Sequence, residues 1–95
     1  MNKAYVIGHV SVIDNEKWSM YRTAVPETLV PWGGELLLRG TLEKVLAGNH
    51  AHSDTVVISF PNIESLNNWF ESSDYQALIP LRESAASIDL LSFKE

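Results

Sequence analysis

The chain has no cysteine, and its basic residues are few and scattered. The absence of cysteine excludes disulfides, thiolate metal ligands and thiol nucleophiles. Seven Lys and Arg residues stand against twelve Asp and Glu, which gives a net charge of −5, and no two basic residues are adjacent. Because duplex nucleic acids and anionic membrane surfaces bind clustered basic residues, neither is an expected partner.

Long apolar runs are also missing. No stretch approaches the roughly 18 apolar residues of a membrane helix, and the apolar N-terminal segment is interrupted by His9 and followed directly by Asp14. We therefore expect a strand there instead of a signal peptide, and a cytoplasmic location. The length of 95 residues, with 45% hydrophobic and 20% charged, fits one globular domain over residues 1–95 with a thin core.

Hydrophobic periodicity predicts an alternation of strands and helices. Strands are expected over residues 4–13, 35–39, 54–60 and 87–93, with 41–46 as a continuation or paired edge of the second strand. Helices are expected from residue 15, from 63 and over 75–86, the last of them disturbed by Pro80. Asp14 and Asn62 are predicted N-caps, and Pro26 is predicted to kink the first helix or to restart it. This order predicts an α+β, ferredoxin-like βαββαβ sandwich: a four-stranded antiparallel sheet with helices on one face.

The other face of the predicted sheet is half apolar. Alternation along the first strand places Tyr5, Ile7 and His9 on it, and the parity shared with Leu37 adds Arg39. Such a face is too apolar to remain in water, so we expect it to pack against a second copy of the chain as a homodimer.

Motifs in one order along nearly the whole chain resemble the small bacterial proteins of the domain of unknown function 1330 family. They are Val12-Ile13-Asp14 with Trp18 and Tyr21, Trp32 to Gly40, Val45 to Gly48, Val57 to Pro61, Trp69-Phe70, Ser73 to Gln76 and Leu81-Arg82. The resemblance implies the dimeric α/β-barrel superfamily, in which two ferredoxin-like subunits pack sheet against sheet and leave a cleft in each. Relatives there include cofactor-free monooxygenases, dehalogenating and isomerising enzymes and haem-handling proteins, while the family itself has no settled activity.

The sequence departs from the family pattern in three places. Thr41 stands where a second Gly usually follows Arg-Gly, and Asn49-His50-Ala51-His52 replaces an Asp-Trp-containing turn. Ser59 stands where a Glu commonly precedes Phe-Pro. A serine cannot do the acid-base work of a glutamate, so any role of that Glu elsewhere is not carried over here.

Arg39 is the leading candidate for a ligand anchor, because a guanidinium can hold a carboxylate in a bidentate fork. The alternative is an internal ion pair with Glu35, Glu43 or an acid of a second subunit. His9 on the same predicted face is a candidate general base near neutral pH, or a structural interface residue.

Three further residues are candidate ligand contacts, namely Tyr21, Trp32 and Ser59, although the aromatic pair could equally be packing. The alternation of His50, His52 and Asp54 is compatible with a metal, but a turn is a poor scaffold for one, so no metal is expected. No glycine loop for phosphates and no nucleophile elbow is present, and no cofactor is expected.

The resemblance and these candidate residues together imply a homodimer that binds a small anionic or carbonyl-containing organic molecule in a cleft, with cofactor-free proton transfer as a further possibility. The competing hypothesis is a structural or interaction dimer with no small-molecule activity.

Overall fold

The computed structural model describes residues 2–95 and confirms the predicted βαββαβ order. The strands are β1 (Ala4–Val12), β2 (Glu35–Thr41), β3 (Asp54–Phe60) and β4 (Ala86–Lys94). The helices are α1 (Asn15–Leu29), a 3₁₀ helix (Val30–Trp32), α2 (Ile63–Glu71), α3 (Ser73–Gln76) and α4 (Ile79–Ala85). All strand pairs are antiparallel in the order β2-β3-β1-β4, so the sheet is open, with β2 and β4 at its edges.

Alternation along β1 divides the sheet into two faces. Ala4, Val6 and Val10 are buried beneath the helices, and we call this face the helix side. Tyr5, Ile7 and His9 alternate with them, are half-buried and define the outer face. The predicted division of the strand is therefore confirmed, since a strand turns successive side chains to opposite faces.

The core lies between the helix side of the sheet and the helices. Its largest fully buried side chains are Phe60, Trp69 and Tyr75, joined by Leu66 of α2. The indole N–H of Trp69 donates to Thr28 Oγ1 at 2.9 Å, which satisfies the one polar atom of that buried ring.

Both predicted N-caps are confirmed. The Asp14 carboxylate accepts from the backbone N–H of Lys17 at 3.0 Å, and Asn62 Oδ1 accepts from that of Ser65 at 2.7 Å. Pro26, in contrast, lies inside one continuous helix, so the predicted restart there is wrong. A proline inside a helix removes one hydrogen bond and crowds the carbonyl four residues earlier, and α1 continues through Pro26 in spite of both.

Two predicted elements differ in the structure. Residues 42–53 have no regular secondary structure, so the expected strand over 41–46 is absent. The backbone bond from Leu42 to Ser53 closes the β2-β3 pair, and residues beyond it have no strand to pair with. The helix expected over 75–86 is divided into α3 and α4, and the predicted disturbance at Pro80 is confirmed, because Pro80, which lacks an N–H, lies in the first turn of α4.

Candidate functional site

A cleft of about 350 Å³ lies between α1 and the helix side of the sheet. Trp18, Val25 and Leu29 contribute its wall on α1, and Val56 and Ile58 contribute apolar surface from β3. Polar or charged residues also border it, namely Asn15, Tyr21, Arg22, Arg39, Thr41, Asp54 and Thr55, although the Thr55 side chain lies on the outer face. The site is thus an apolar hollow with a few polar groups, which is the usual composition of a small-molecule site.

A bulge in β2 brings Arg39 into this cleft. Leu36 pairs with Ile58 and Leu38 with Val57, so the intervening Leu37 has no partner on β3. Arg39 consequently pairs with Val56, on the helix side.

The predicted placement of Arg39 beside His9 on the outer face is therefore wrong. His9 pairs with Thr55 and stays on the outer face, whereas the extra residue of the bulge reverses the parity of β2. Arg39 and Tyr21 both line the cleft.

Arg39 and Arg22 make the cleft positive at one side. Burial lowers the pKa of Arg39, and the positive charge of Arg22 lowers it further, although an arginine remains charged at neutral pH. Within residues 2–95, no carboxylate lies within 4.0 Å of either guanidinium. The internal ion pair considered for Arg39 with Glu35 or Glu43 is therefore not formed within the described chain.

A buried hydrogen-bond chain begins at the cleft with Tyr21. The hydroxyls of Tyr21 and Tyr75 lie 2.8 Å apart, and Arg82 donates from Nη1 to the Tyr75 hydroxyl at 2.8 Å. Burial raises the pKa of Tyr21, and the adjacent Tyr75 adds to the rise, while Arg82 opposes it without cancelling it. Tyr21 therefore remains a neutral hydroxyl throughout the physiological range.

The remaining candidate residues lie outside the cleft lining. Trp32 is in the 3₁₀ helix and packs against the core. Ser59 is buried and pairs with Tyr5 of the outer face. His9 Nδ1 lies 3.1 Å from Thr55 Oγ1, and the His9 ring contacts that of His50 edge to face at 4.8 Å between centroids. Any role of His9 as a base would thus belong to the outer face.

His52 fastens the irregular segment 42–53 to the sheet. Its Nδ1 lies 2.9 Å from Ser11 Oγ on β1, and its Nε2 lies 2.9 Å from Asp89 Oδ2 on β4. The His52 side chain is only 12% exposed, so it is packed against the sheet and is not a solvated turn residue. No three metal-binding side chains among residues 2–95 are arranged to share a metal ion.

Arg22 and Arg82 had no predicted role, and Asp54 was considered only as a possible metal ligand. The fold places Arg22 and Asp54 at the cleft and places Arg82 behind Tyr21 and Tyr75. Arg22 had a visible signal, because it lies four residues after Trp18 and three before Val25 on one face of α1. The pairing of Tyr21 with Tyr75 spans 54 residues and has no local signature.

The model of the family described as Domain of unknown function (DUF1330) matches residues 3–95. The chain belongs to the DUF1330 family. The family predicted from the motifs is therefore confirmed. No curated protein matches this DUF1330 chain in sequence. None of the helices within residues 2–95 has the length and apolar character to cross a bilayer.

Solved structures share the fold of this DUF1330 protein. The RPA0582 protein of unknown function from Rhodopseudomonas palustris is similar at a TM-score of 0.80 and 14% identity, over 99% of this chain and 82% of that one. A hydroxynitrile lyase from Passiflora edulis is similar at 0.75 and 13%, over 98% and 93%. A dimeric ferredoxin-like protein of unknown function from Thermobifida fusca is similar at 0.65 and 13%, over 99% and 90%. At these identities the likeness establishes the ferredoxin-like fold alone.

Proposed function

We propose that the protein binds a small organic anion with an apolar body in the cleft between α1 and the sheet. The observation that carries the proposal is the pair Arg22 and Arg39, which border an apolar cleft with no carboxylate within 4.0 Å in the described chain. Two like charges repel each other, and a bound anion removes that repulsion. Arg39 also offers the planar donor fork that matches a carboxylate.

The size and lining of the cleft support an aromatic or branched aliphatic body. Its volume of about 350 Å³ is at the small end of the usual range for ligand pockets. Trp18, Val25, Leu29, Val56 and Ile58 supply apolar contact on opposite walls, so the ligand's hydrocarbon part is removed from water while its charge stays near the arginines.

Phenylacetate and its uncharged analogue phenylacetamide test this proposal as a matched pair of probes. Because Trp18 lines the cleft, its fluorescence reports binding of either compound. We expect the acid to bind at least about tenfold more tightly than the amide, because a charge-assisted bond adds about 1.5–3 kcal/mol. Arg39→Ala should abolish that difference, whereas Lys17→Ala, an exposed cation of α1 outside the lining, should not. Equal affinities of wild-type protein for acid and amide would contradict the proposal.

Self-association is the second part of the proposal. The outer face carries exposed apolar side chains, among them Leu38, Leu91 and Phe93 at 50%, 43% and 49% exposure. A second copy packed on this face would cover them and would leave both clefts on the far side of each sheet. The description of the Thermobifida fusca neighbour as dimeric supports self-association.

Cofactor-free proton transfer is a second candidate activity. Among residues 2–95, Asp54 is the one carboxylate residue that lines the cleft, and Tyr21 lines the same cleft, so a base and a neutral hydrogen-bond donor would border one ligand. Exchange of the C3 protons of phenylpyruvate for deuterium, followed by ¹H NMR, tests it. We expect exchange faster than in buffer and its loss in Asp54→Asn. Exchange no faster than in buffer would mean that the protein binds the ligand without catalysing proton transfer.

The competing hypothesis, a structural or interaction dimer without a ligand, predicts a different thermal response. A compound that binds only the folded state raises Tm by mass action. If no organic acid at millimolar concentration raises Tm while the protein remains dimeric, the structural hypothesis is the better one.

A further inference from the structure

Three polar side chains form one chain of hydrogen bonds from the interior to the cleft. Arg82 Nη1 lies 2.8 Å from the Tyr75 hydroxyl, which lies 2.8 Å from the Tyr21 hydroxyl. Tyr75 is 0% exposed, whereas Tyr21 is 7% exposed and lines the cleft. A guanidinium can only donate, so the direction of the first bond is fixed, from Arg82 to Tyr75.

The direction of the bond between Tyr75 and Tyr21 follows from whether the hydroxyl hydrogen that this bond does not use can find an acceptor. If Tyr21 donated to Tyr75, the Tyr75 hydroxyl would accept twice, and its own hydrogen would have no acceptor anywhere in residues 2–95. A wholly buried donor without an acceptor is costly. If Tyr75 donates to Tyr21, the remaining hydrogen belongs to Tyr21, which borders the open space of the cleft. The second arrangement is therefore the stable one.

We propose that Tyr21 presents its O–H to the cleft as an oriented donor, held by Tyr75 and Arg82, and that the ligand carries a neutral acceptor oxygen besides its negative charge. This inference rests on the proposed binding function and narrows the ligand to an oxo- or acyl-substituted carboxylate. The guanidinium of Arg39 would hold the carboxylate, and Tyr21 would select the carbonyl.

The raised pKa of Tyr21 agrees with this role. Burial keeps the hydroxyl protonated, so it cannot accept a proton as a base or repel an anion as a phenolate. A site that hydrogen-bonds a substrate oxygen also rejects analogues that lack it, because the donor is then left unpaired.

Acetylbenzoates and isopropylbenzoates, substituted at the 3- or the 4-position, are suitable probes. The members of each pair have the same charge and nearly the same shape, and only the acetyl compound has an acceptor oxygen. We expect wild-type protein to prefer the acetyl member of at least one pair by about three- to tenfold in Kd, measured by isothermal titration calorimetry. Tyr21→Phe should reduce this ratio to about one while both compounds still bind.

Tyr5→Phe is the matched control, because that hydroxyl bonds only to Glu95 on the outer face and its loss should leave the ratio unchanged. Tyr75→Phe tests the positioning role. Without its donor, the Tyr21 hydroxyl can rotate, so the ratio should fall below the wild-type value. This ratio compares two ligands on one folded protein, and a general loss of stability does not move it.

Three outcomes would overturn the inference. Wild-type protein that binds all probes without preference, in an Arg39-dependent way, would leave the proposed function standing and refute the role of Tyr21. A preference that is absent in wild-type protein and appears in Tyr75→Phe would show that the Tyr21–Tyr75 bond runs in the opposite direction. Failure of every probe to bind would refute the proposed function and this inference together.

Discussion

Replacing Arg39 with alanine should change the free energy of unfolding by no more than about 1 kcal/mol. Arg39 is an exposed residue on the edge strand β2, and no carboxylate among residues 2–95 lies within 4.0 Å of its guanidinium. The backbone pairing with Val56 does not depend on the side chain and remains. What is lost is the packing of the aliphatic stem in the cleft, and what is gained is relief from the charge of Arg22.

The relief of repulsion between Arg22 and Arg39 can be recognised in two measurements of stability. Because the two guanidiniums repel each other, removal of either one already relieves the repulsion. The stabilising parts of Arg22→Ala and Arg39→Ala should therefore not add in the double variant. Added salt screens the repulsion, so the wild-type protein should gain more stability from salt than Arg39→Ala does.

Urea unfolding followed by tryptophan fluorescence measures these differences. All variants must be compared at one protein concentration, because the stability of a dimer depends on it. A loss of about 3–5 kcal/mol in Arg39→Ala would indicate a broken buried ion pair instead. Rescue of that loss by Asp54→Asn, the neutral form of the one acid that lines the cleft, would refute the assignment of Arg39 as a ligand anchor.

Stability at high pH, the oligomeric state and the attachment of segment 42–53 can each be tested. Burial holds the pKa of Tyr21 above its ordinary value of 10.0, so the unfolded chain releases this proton first as pH rises. Stability should fall above about pH 10 by at most about 1.4 kcal/mol per pH unit, and urea titrations should show a shallower fall in Tyr21→Phe. Light scattering should report twice the monomer mass, with a shift toward monomer in Leu91→Asp on the outer face but not in Met20→Asp on α1; a wild-type monomer would contradict the dimer. His52→Ala should lower the unfolding free energy by about 1 kcal/mol through loss of its bonds to β1 and β4, whether or not zinc is added; a zinc-dependent change would indicate a metal site.

The sequence was sufficient for the parts of the fold that depend on local chemistry. Alternation along β1 predicted which face is buried, since each second residue is apolar and β-branched or small on that side. Asp14 and Asn62 predicted where helices begin, because a capping side chain and the N–H groups it accepts from lie within three residues of each other.

The register of β2 could not be predicted in the same way. Leu36, Leu37 and Leu38 are identical, so no alternation marks which of them leaves the ladder at the bulge. The expected strand over 41–46 is absent for a different reason, since no neighbouring strand is available to its apolar residues beyond the backbone bond from Leu42 to Ser53. One unmarked bulge was enough to move Arg39 from the outer face into the cleft.

For Tyr21, the sequence pattern predicts only the packing of the ring, and the folded structure determines the role of the hydroxyl. On its helix it is one member of an apolar stripe, and nothing within α1 distinguishes its hydroxyl from packing surface. Its properties come from Tyr75, 54 residues away, and from Arg82 in the next helix. Its hydroxyl is the last member of the chain from Arg82 through Tyr75, where burial keeps it neutral, and the accounting of hydrogens leaves its one free donor for the cleft. The bulge in β2 thus places the positive charge of Arg39 at the apolar cleft, and contacts between distant helices place the neutral donor of Tyr21 there. Neither feature has a local sequence signature.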